Sequence, residues 1–184
     1  MTFAYVYDLV GTLIKEIGRR DYFKLKDVEW CDAHYGEAIA TEVYAKTVIE
    51  GIHNGSIVIV PLESATEMLQ KNAAFGVLNI VYSSGTRDEI ITVLKAAKLD
   101  SYIDSFISTF TLDGSKSKSK DNFLTLFKKL QSRGIEIKKY YDDSVQAIAS
   151  AQKASLIIKK KFGTAISIVR VNNDNAIKNI NKTE

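Results

Sequence analysis

The residues able to do chemistry in this chain fall in four short clusters: Asp8, Ser83-Ser84, the lysines Lys116 and Lys118, and Asp142-Asp143. Each type suits one task in attack on an anionic group. A carboxylate can serve as a nucleophile and carry a covalent intermediate. A hydroxyl flanked by backbone N–H groups can hold a transferring oxyanion. A lysine neutralises the charge that gathers there, and a carboxylate pair offers the hard oxygen ligands that Mg²⁺ prefers. Taken singly, each cluster also has an ordinary structural use. Asp8 could cap a turn, a serine pair could cap a helix, and lysines in a serine-rich loop are usually solvated. What joins the four is their order and the elements that must carry them.

Phe3 to Tyr7 is short, apolar and β-favouring, and it runs into Asp8-Leu-Val-Gly-Thr12, where Gly11 allows a tight turn. Val77 to Tyr82 reads as a second strand, closed by Ser83-Ser-Gly-Thr86 and followed by a helix over Arg87 to Ala97 with Asp88 and Glu89 in its first turn. A β-like run, Ser105 to Leu112, leads into the polar loop 113–120 and a helix over Asp121 to Arg133, with Ser119 as its N-cap. Ile135 to Tyr141 is the next strand, ending at Asp142-Asp143-Ser144 before an alanine-rich helix, Val145 to Ala154. A last strand, Ala165 to Val171, precedes a polar tail. Residues 15–55 carry mixed charge with apolar residues at helical spacing, among them Ile39, Val43, Ile49 and Ile52, and read as a small helical insert. Pro61, the only proline, is placed at the start of a helix over Leu62 to Asn72. Strands alternating with helices predict an α/β fold, a Rossmann-like parallel sheet with helices on both faces. The four clusters then lie at the carboxyl ends of strands, where such sheets bind ligands.

Composition narrows the class. The 184 residues suffice for one domain with a small insert and are too few for two full-sized domains. With 46% apolar and 26% charged residues, global disorder is excluded. A formal charge of +3 demands neither nucleic acid nor membrane as partner, and neither is expected. No apolar stretch approaches the ~18 residues of a membrane span. The run Phe3 to Tyr7 lacks a basic segment before it and a cleavage pattern after it, so it is read as a strand and not as a signal peptide. The single cysteine, Cys31, beside Trp30, cannot form an internal disulfide or a multi-sulfur zinc site, and a reducing, cytoplasmic setting is expected. Cys31, His34 and His53 are assigned to packing or surface, and Lys159-Lys-Lys161 to a solvated helix end. Arg19-Arg20 is left open between meeting an anionic substrate and a solvated face.

Asp8-Leu-Val-Gly-Thr-Leu13 after an apolar strand, Ser83, Lys116 or Lys118, and Asp142-Asp143 together resemble the four motifs of the haloacid dehalogenase superfamily of aspartate-nucleophile hydrolases. The likeness extends over residues 3 to about 171. It implies a Rossmann-like core of residues 1–14 and 56–184, with 15–55 as a cap. It also implies Asp8 as the nucleophile, and Ser83, Ser84, Gly11 and Thr12 around the transferring group. Lys116 is put first as the catalytic lysine because of Gly114-Ser-Lys116, with Lys118 beside it as a binding residue. The ligands implied for Mg²⁺ are Asp8, the Val10 carbonyl, Asp143 and Asp142, with Asp143 favoured over Asp142. Within the superfamily, Tyr82-Ser-Ser-Gly-Thr86, Gly114-Ser-Lys116 and Val169-Arg170-Val-Asn-Asn173 are similar to the enolase-phosphatase branch of methionine salvage.

One position departs from that pattern. Family phosphatases carry an acid two residues after the nucleophile, and here that position is Val10. Valine cannot transfer a proton, and loss of a positioned acid/base forfeits about a hundred- to ten-thousand-fold in rate. The resemblance therefore implies a Mg²⁺-dependent phosphatase of a small phosphorylated metabolite, working through an aspartyl-phosphate, as a monomer or homodimer. Two alternatives stand beside it. One is a dehalogenase or phosphonate-hydrolase chemistry, whose family members also lack the second acid; the other is a non-catalytic module that binds a phosphate ligand or a partner.

Overall fold

The computed structural model of the chain describes residues 2–26, 28, 38–113 and 118–171. In chain order these form β1 (Thr2–Tyr7), β2 (Ile14–Ile17), α1 (Arg19–Leu25), α2 (Ala38–His53), β3 (Val58–Pro61), α3 (Ala65–Ala74) and β4 (Leu78–Ser83). Then follow α4 (Arg87–Ala96), a 3₁₀ turn (Asp100–Tyr102), β5 (Ser105–Ser108), α5 (Phe110–Asp113), α6 (Lys120–Gln131), β6 (Ile135–Asp142), α7 (Val145–Phe162) and β7 (Ser167–Arg170). The main sheet has the order β5-β4-β1-β6-β7 with every pairing parallel. This is the α/β, Rossmann-like architecture expected from the alternation of strands and helices.

Two cores lie on the two faces of that sheet, because successive strand residues point to opposite sides. Ala4, Val6, Ile80, Tyr82, Ile137 and Tyr140 pack with Phe123, Phe127, Ala151 and Ala154 from α6 and α7. Tyr7, Val81 and Tyr141 pack on the other face with Leu69, Ile90, Val93 and Leu94 from α3 and α4. Tyr22, Phe23 and Val48, from residues 15–55, belong to this second cluster. The chain enters that segment by β2 and leaves it by β3. These strands pair antiparallel as a separate two-stranded sheet, Ile14 opposite Pro61 and Ile17 opposite Val58.

Several boundaries differ from the sequence expectation. Pro61 ends β3 and does not open a helix; a two-stranded ribbon has only edge strands, where a missing N–H is tolerated. The helix begins at Ala65 instead, after Ser64 at φ 66°. The run from Ser105 is a strand only to Ser108, after which α5 turns away. Helix α7 continues past Ala154 to Phe162 and stops at Gly163, whose φ of 70° suits a glycine C-cap. In α2 the buried positions are Ala45, Thr47, Val48 and Gly51, while Val43 is exposed.

Candidate active site

Strand register places the functional clusters together. Tyr7 lies opposite Val81 of β4 and Tyr141 of β6, Ser83 opposite Ser108, and Asp142 opposite Arg170, so Asp8, Ser83 and Asp142 all sit at the carboxyl edge of the sheet. The Asp8 N–H donates to the Tyr141 carbonyl at 2.8 Å, which continues the ladder one residue past β1. Strand order reverses beside β1, and a crevice at such a reversal is the usual ligand site of an open parallel sheet.

Carboxylate oxygens of Asp8, Asp142 and Asp143 all lie within 4.8 Å of one another. The Lys118 ammonium donates to Asp8 Oδ1 and, at 2.8 Å, to Asp142 Oδ2. Asp142 Oδ2 also accepts from the Tyr140 hydroxyl, and its Oδ1 accepts from the Ser144 N–H at 2.8 Å. Asp142 is thus occupied by three donors. Asp143 lies against Gly11, at φ +86°, where a Cβ would collide with its carboxylate and reach its Cγ at 2.6 Å. A side chain at position 11 would therefore disturb both the turn and the acid. Lys118 Nζ stands 5.6 Å from the centre of the Tyr82 ring, within cation–π range.

Burial dominates the electrostatics. It pushes the Asp8 carboxyl from 3.8 up to about 7; Lys118 opposes the rise, and Asp142 and Asp143 add to it. Burial also disfavours the charged form of Lys118, yet Asp8 and Asp142 beside it hold its pKa above the usual lysine value. Burial and the neighbouring Asp142 push the Tyr140 phenol well above its usual range, so it remains a donor. Three carboxyl groups converge here, and oxygen donors so grouped are the hard ligands that a divalent cation such as Mg²⁺ takes.

The remaining expected residues surround this cluster. Ser83 is buried and its Oγ accepts from the Gly85 N–H at 3.3 Å, while Ser84 is half-buried. Thr86, and not the serine pair, caps α4 in a capping box with Glu89. Thr12 is buried, and its hydroxyl finds no hydrogen-bond partner in the described residues. The Val10 side chain is 38% exposed. Ser119 caps α6 as expected, accepting from the Asn122 N–H at 3.1 Å, and this places Lys118 directly before the helix. Lys116, with Gly114 and Ser115, lies outside the described residues, as do Cys31, His34, Asn172 and Asn173. His53 and Lys159 to Lys161 are exposed.

Arg19 takes neither of the two roles left open for it. Its guanidinium is buried between Glu16 and Glu89, 3.6 Å from the latter, and lies 4.7 Å from the centre of the Tyr44 ring. Sequence reading also missed Tyr140 and Tyr82. For Tyr140 a signal was present: it stands two residues before Asp142 in one strand, and period-2 alternation puts both on the same face.

No protein-family model and no curated protein sequence matches this chain. Solved structures do. A hydrolase from Pseudomonas syringae shares 15% identity over 100% of both chains, with a TM-score of 0.61. CbbY from Rhodobacter sphaeroides, in complex with phosphate, shares 13% identity over 94% of this chain and 88% of its own, with a TM-score of 0.63. The L-2-haloacid dehalogenase from Xanthobacter autotrophicus, with chloropropionic acid covalently bound, shares 13% identity over 100% of this chain and 84% of its own, with a TM-score of 0.60.

Proposed function

We propose that this chain, which has the haloacid dehalogenase-like hydrolase fold, is a Mg²⁺-dependent phosphohydrolase acting on a small phosphate ester through an aspartyl-phosphate on Asp8. The observation that carries the reading is the grouping of Asp8, Asp142 and Asp143 at the carboxyl edge of the sheet, with Lys118 bridging the first two. A dehalogenase has no use for the cation that three such oxygen donors fit. The site of Mg²⁺ would be made by Asp8 and Asp143 with the Val10 carbonyl, and the cation would supply charge neutralisation for nucleophile and phosphate alike.

An Asp8 carboxylate oxygen attacks phosphorus, the P–O bond to the leaving group breaks, and the leaving oxygen departs with the electron pair. Lys118 keeps Asp8 oriented and offsets its charge, while Ser83 and the N–H groups of Thr12 and Ser84 hold the phosphoryl oxygens. Water then attacks phosphorus, the P–O bond to Asp8 breaks and its carboxylate is restored, and the water's proton leaves to solvent with the phosphate. Val10 delivers no proton to the leaving oxygen and takes none from the water, so good leaving groups are favoured. The contact of Lys118 with Asp8 supports Lys118 in this role, and Lys116, put first in the sequence reading, lies outside the described residues.

The test is hydrolysis of p-nitrophenyl phosphate with and without Mg²⁺. Slow, metal-dependent turnover is expected in the native chain and none in Asp8→Asn. Val10→Asp is expected to raise the rate on an alkyl phosphate by about a hundredfold or more. A native chain that turns over 2-chloropropionate without metal, and no phosphate ester, would replace this reading with the dehalogenase one. Absence of both activities, with a phosphate mimic and Mg²⁺ still stabilising the fold, would favour a binding module.

A further inference from the structure

The Lys118 ammonium is shared between two carboxylates, donating to Asp8 Oδ1 and to Asp142 Oδ2. How it divides depends on the negative charge each oxygen retains. Asp142 Oδ2 gives part of its charge to a second donor, the Tyr140 hydroxyl. Among the described residues no donor besides Lys118 reaches the Asp8 carboxylate. The phenol therefore weakens Asp142 in its competition with Asp8 for the ammonium.

Tyr140 is held where it can do nothing else. It is wholly buried in β6, with its ring edge-on to Phe123 at 5.0 Å and 74°, and 6.4 Å from the Tyr82 ring. Tyr82 in turn faces Lys118. Two tyrosines thus border the lysine: one by its ring, the other through the acceptor it shares.

We propose that Tyr140 is a positioning residue whose hydroxyl, bonded to Asp142 Oδ2, keeps Lys118 shared with Asp8 and not captured by Asp142. The catalytic consequence rests on the phosphohydrolase reading: Asp8 meets an anionic phosphate with its own charge compensated. The geometric consequence does not rest on it.

Tyr140→Phe removes one oxygen and leaves the ring. Two readouts are taken, the ¹⁵Nζ resonance of Lys118, assigned by its loss in Lys118→Arg, and the kinetics on p-nitrophenyl phosphate with Mg²⁺. The resonance is expected to move and kcat to fall about tenfold, the scale of one hydrogen bond to a charged group, with KM changed less than about twofold. In an Asp142→Asn background the same substitution is expected to have no further effect, because the competing charge is already gone. Asp142→Asn alone is expected to move the resonance in the opposite direction, and it serves if Tyr140→Phe does not fold. A native resonance and native kcat in Tyr140→Phe would overturn the proposal, as would an equal loss in both backgrounds or resonance movement in the same direction in both single variants. A shifted resonance in a chain that hydrolyses no phosphate ester would uphold the positioning and refute the phosphohydrolase reading instead.

Discussion

Replacing Asp8, the proposed nucleophile, with asparagine is expected to stabilise the metal-free protein by an amount that grows as the pH rises from about 4 to about 7. The side chain is buried, it shares the Lys118 ammonium with Asp142, and Asp143 lies close by. A rise from 3.8 to about 7 corresponds to roughly 4 kcal/mol between the protonated and charged forms of Asp8. The sign follows from proton uptake. Between about pH 4 and 7 the folded chain keeps a proton on Asp8 that the unfolded chain has released, so this contribution is full below the unfolded value, declines with rising pH and is gone above about 7. Asparagine resembles the protonated acid and does not titrate. In EDTA the native chain and Asp8→Asn should melt together near pH 4, diverge steadily as the pH rises, and keep a constant gap above about pH 7. The ceiling is reduced because asparagine pairs less strongly with Lys118, and at roughly 2–4 °C per kcal/mol the gap should reach about 5–10 °C. Saturating Mg²⁺ should close it by stabilising only the native site. The assay is circular dichroism melting of both proteins from pH 4 to 8, with EDTA and with Mg²⁺. Parallel melting curves in EDTA across that range would refute the reasoning, because they would mean the Asp8 charge is not confined as the burial and its neighbours require.

Other perturbations read different parts of the site. Lys118→Met leaves Asp8 and Asp142 without their cation and should cost about 3–5 kcal/mol at pH 8, measured by urea unfolding. Gly11→Ala places a Cβ against Asp143 at a φ of +86°; it should weaken Mg²⁺ binding in calorimetry and lower stability by about 1–3 kcal/mol. Arg19→Met removes the guanidinium between Glu16 and Glu89 and should cost about 3–5 kcal/mol. Arg19→Lys should recover less than half of that loss, because an ammonium cannot pair with both acids and stack on Tyr44 as well. Equal stability of Arg19→Met and the native chain would show that the triad contributes nothing net.

Local pattern alone marks the strands and the places of the chemistry. Phe3 to Tyr7, Val77 to Tyr82 and Ile135 to Tyr141 are β-favouring runs, the last of them broken by Glu136, Lys138 and Lys139, and in a parallel sheet a strand's last residues lie at the carboxyl edge. Asp8, Ser83 and Asp142-Asp143 were therefore legible as neighbours before any coordinates. The Ser119 cap was equally local, since a short hydroxyl before a helical run satisfies an N–H three residues on. Pairings between elements distant along the chain come from packing and have no local signal. Nothing local to Lys118 says that its ammonium reaches Asp8, 110 residues away, or that Tyr82 would lie under it. Nor does anything local to Arg19 show that Glu89 would remove it from solvent. The buried Asn72–Tyr7–Asn79 network, joining α3 to β1 and β4, was hidden for the same reason. Periodicity reports which face of an element is buried, but a hydrogen bond or ion pair depends on which element arrives opposite it, and only the packed chain settles that.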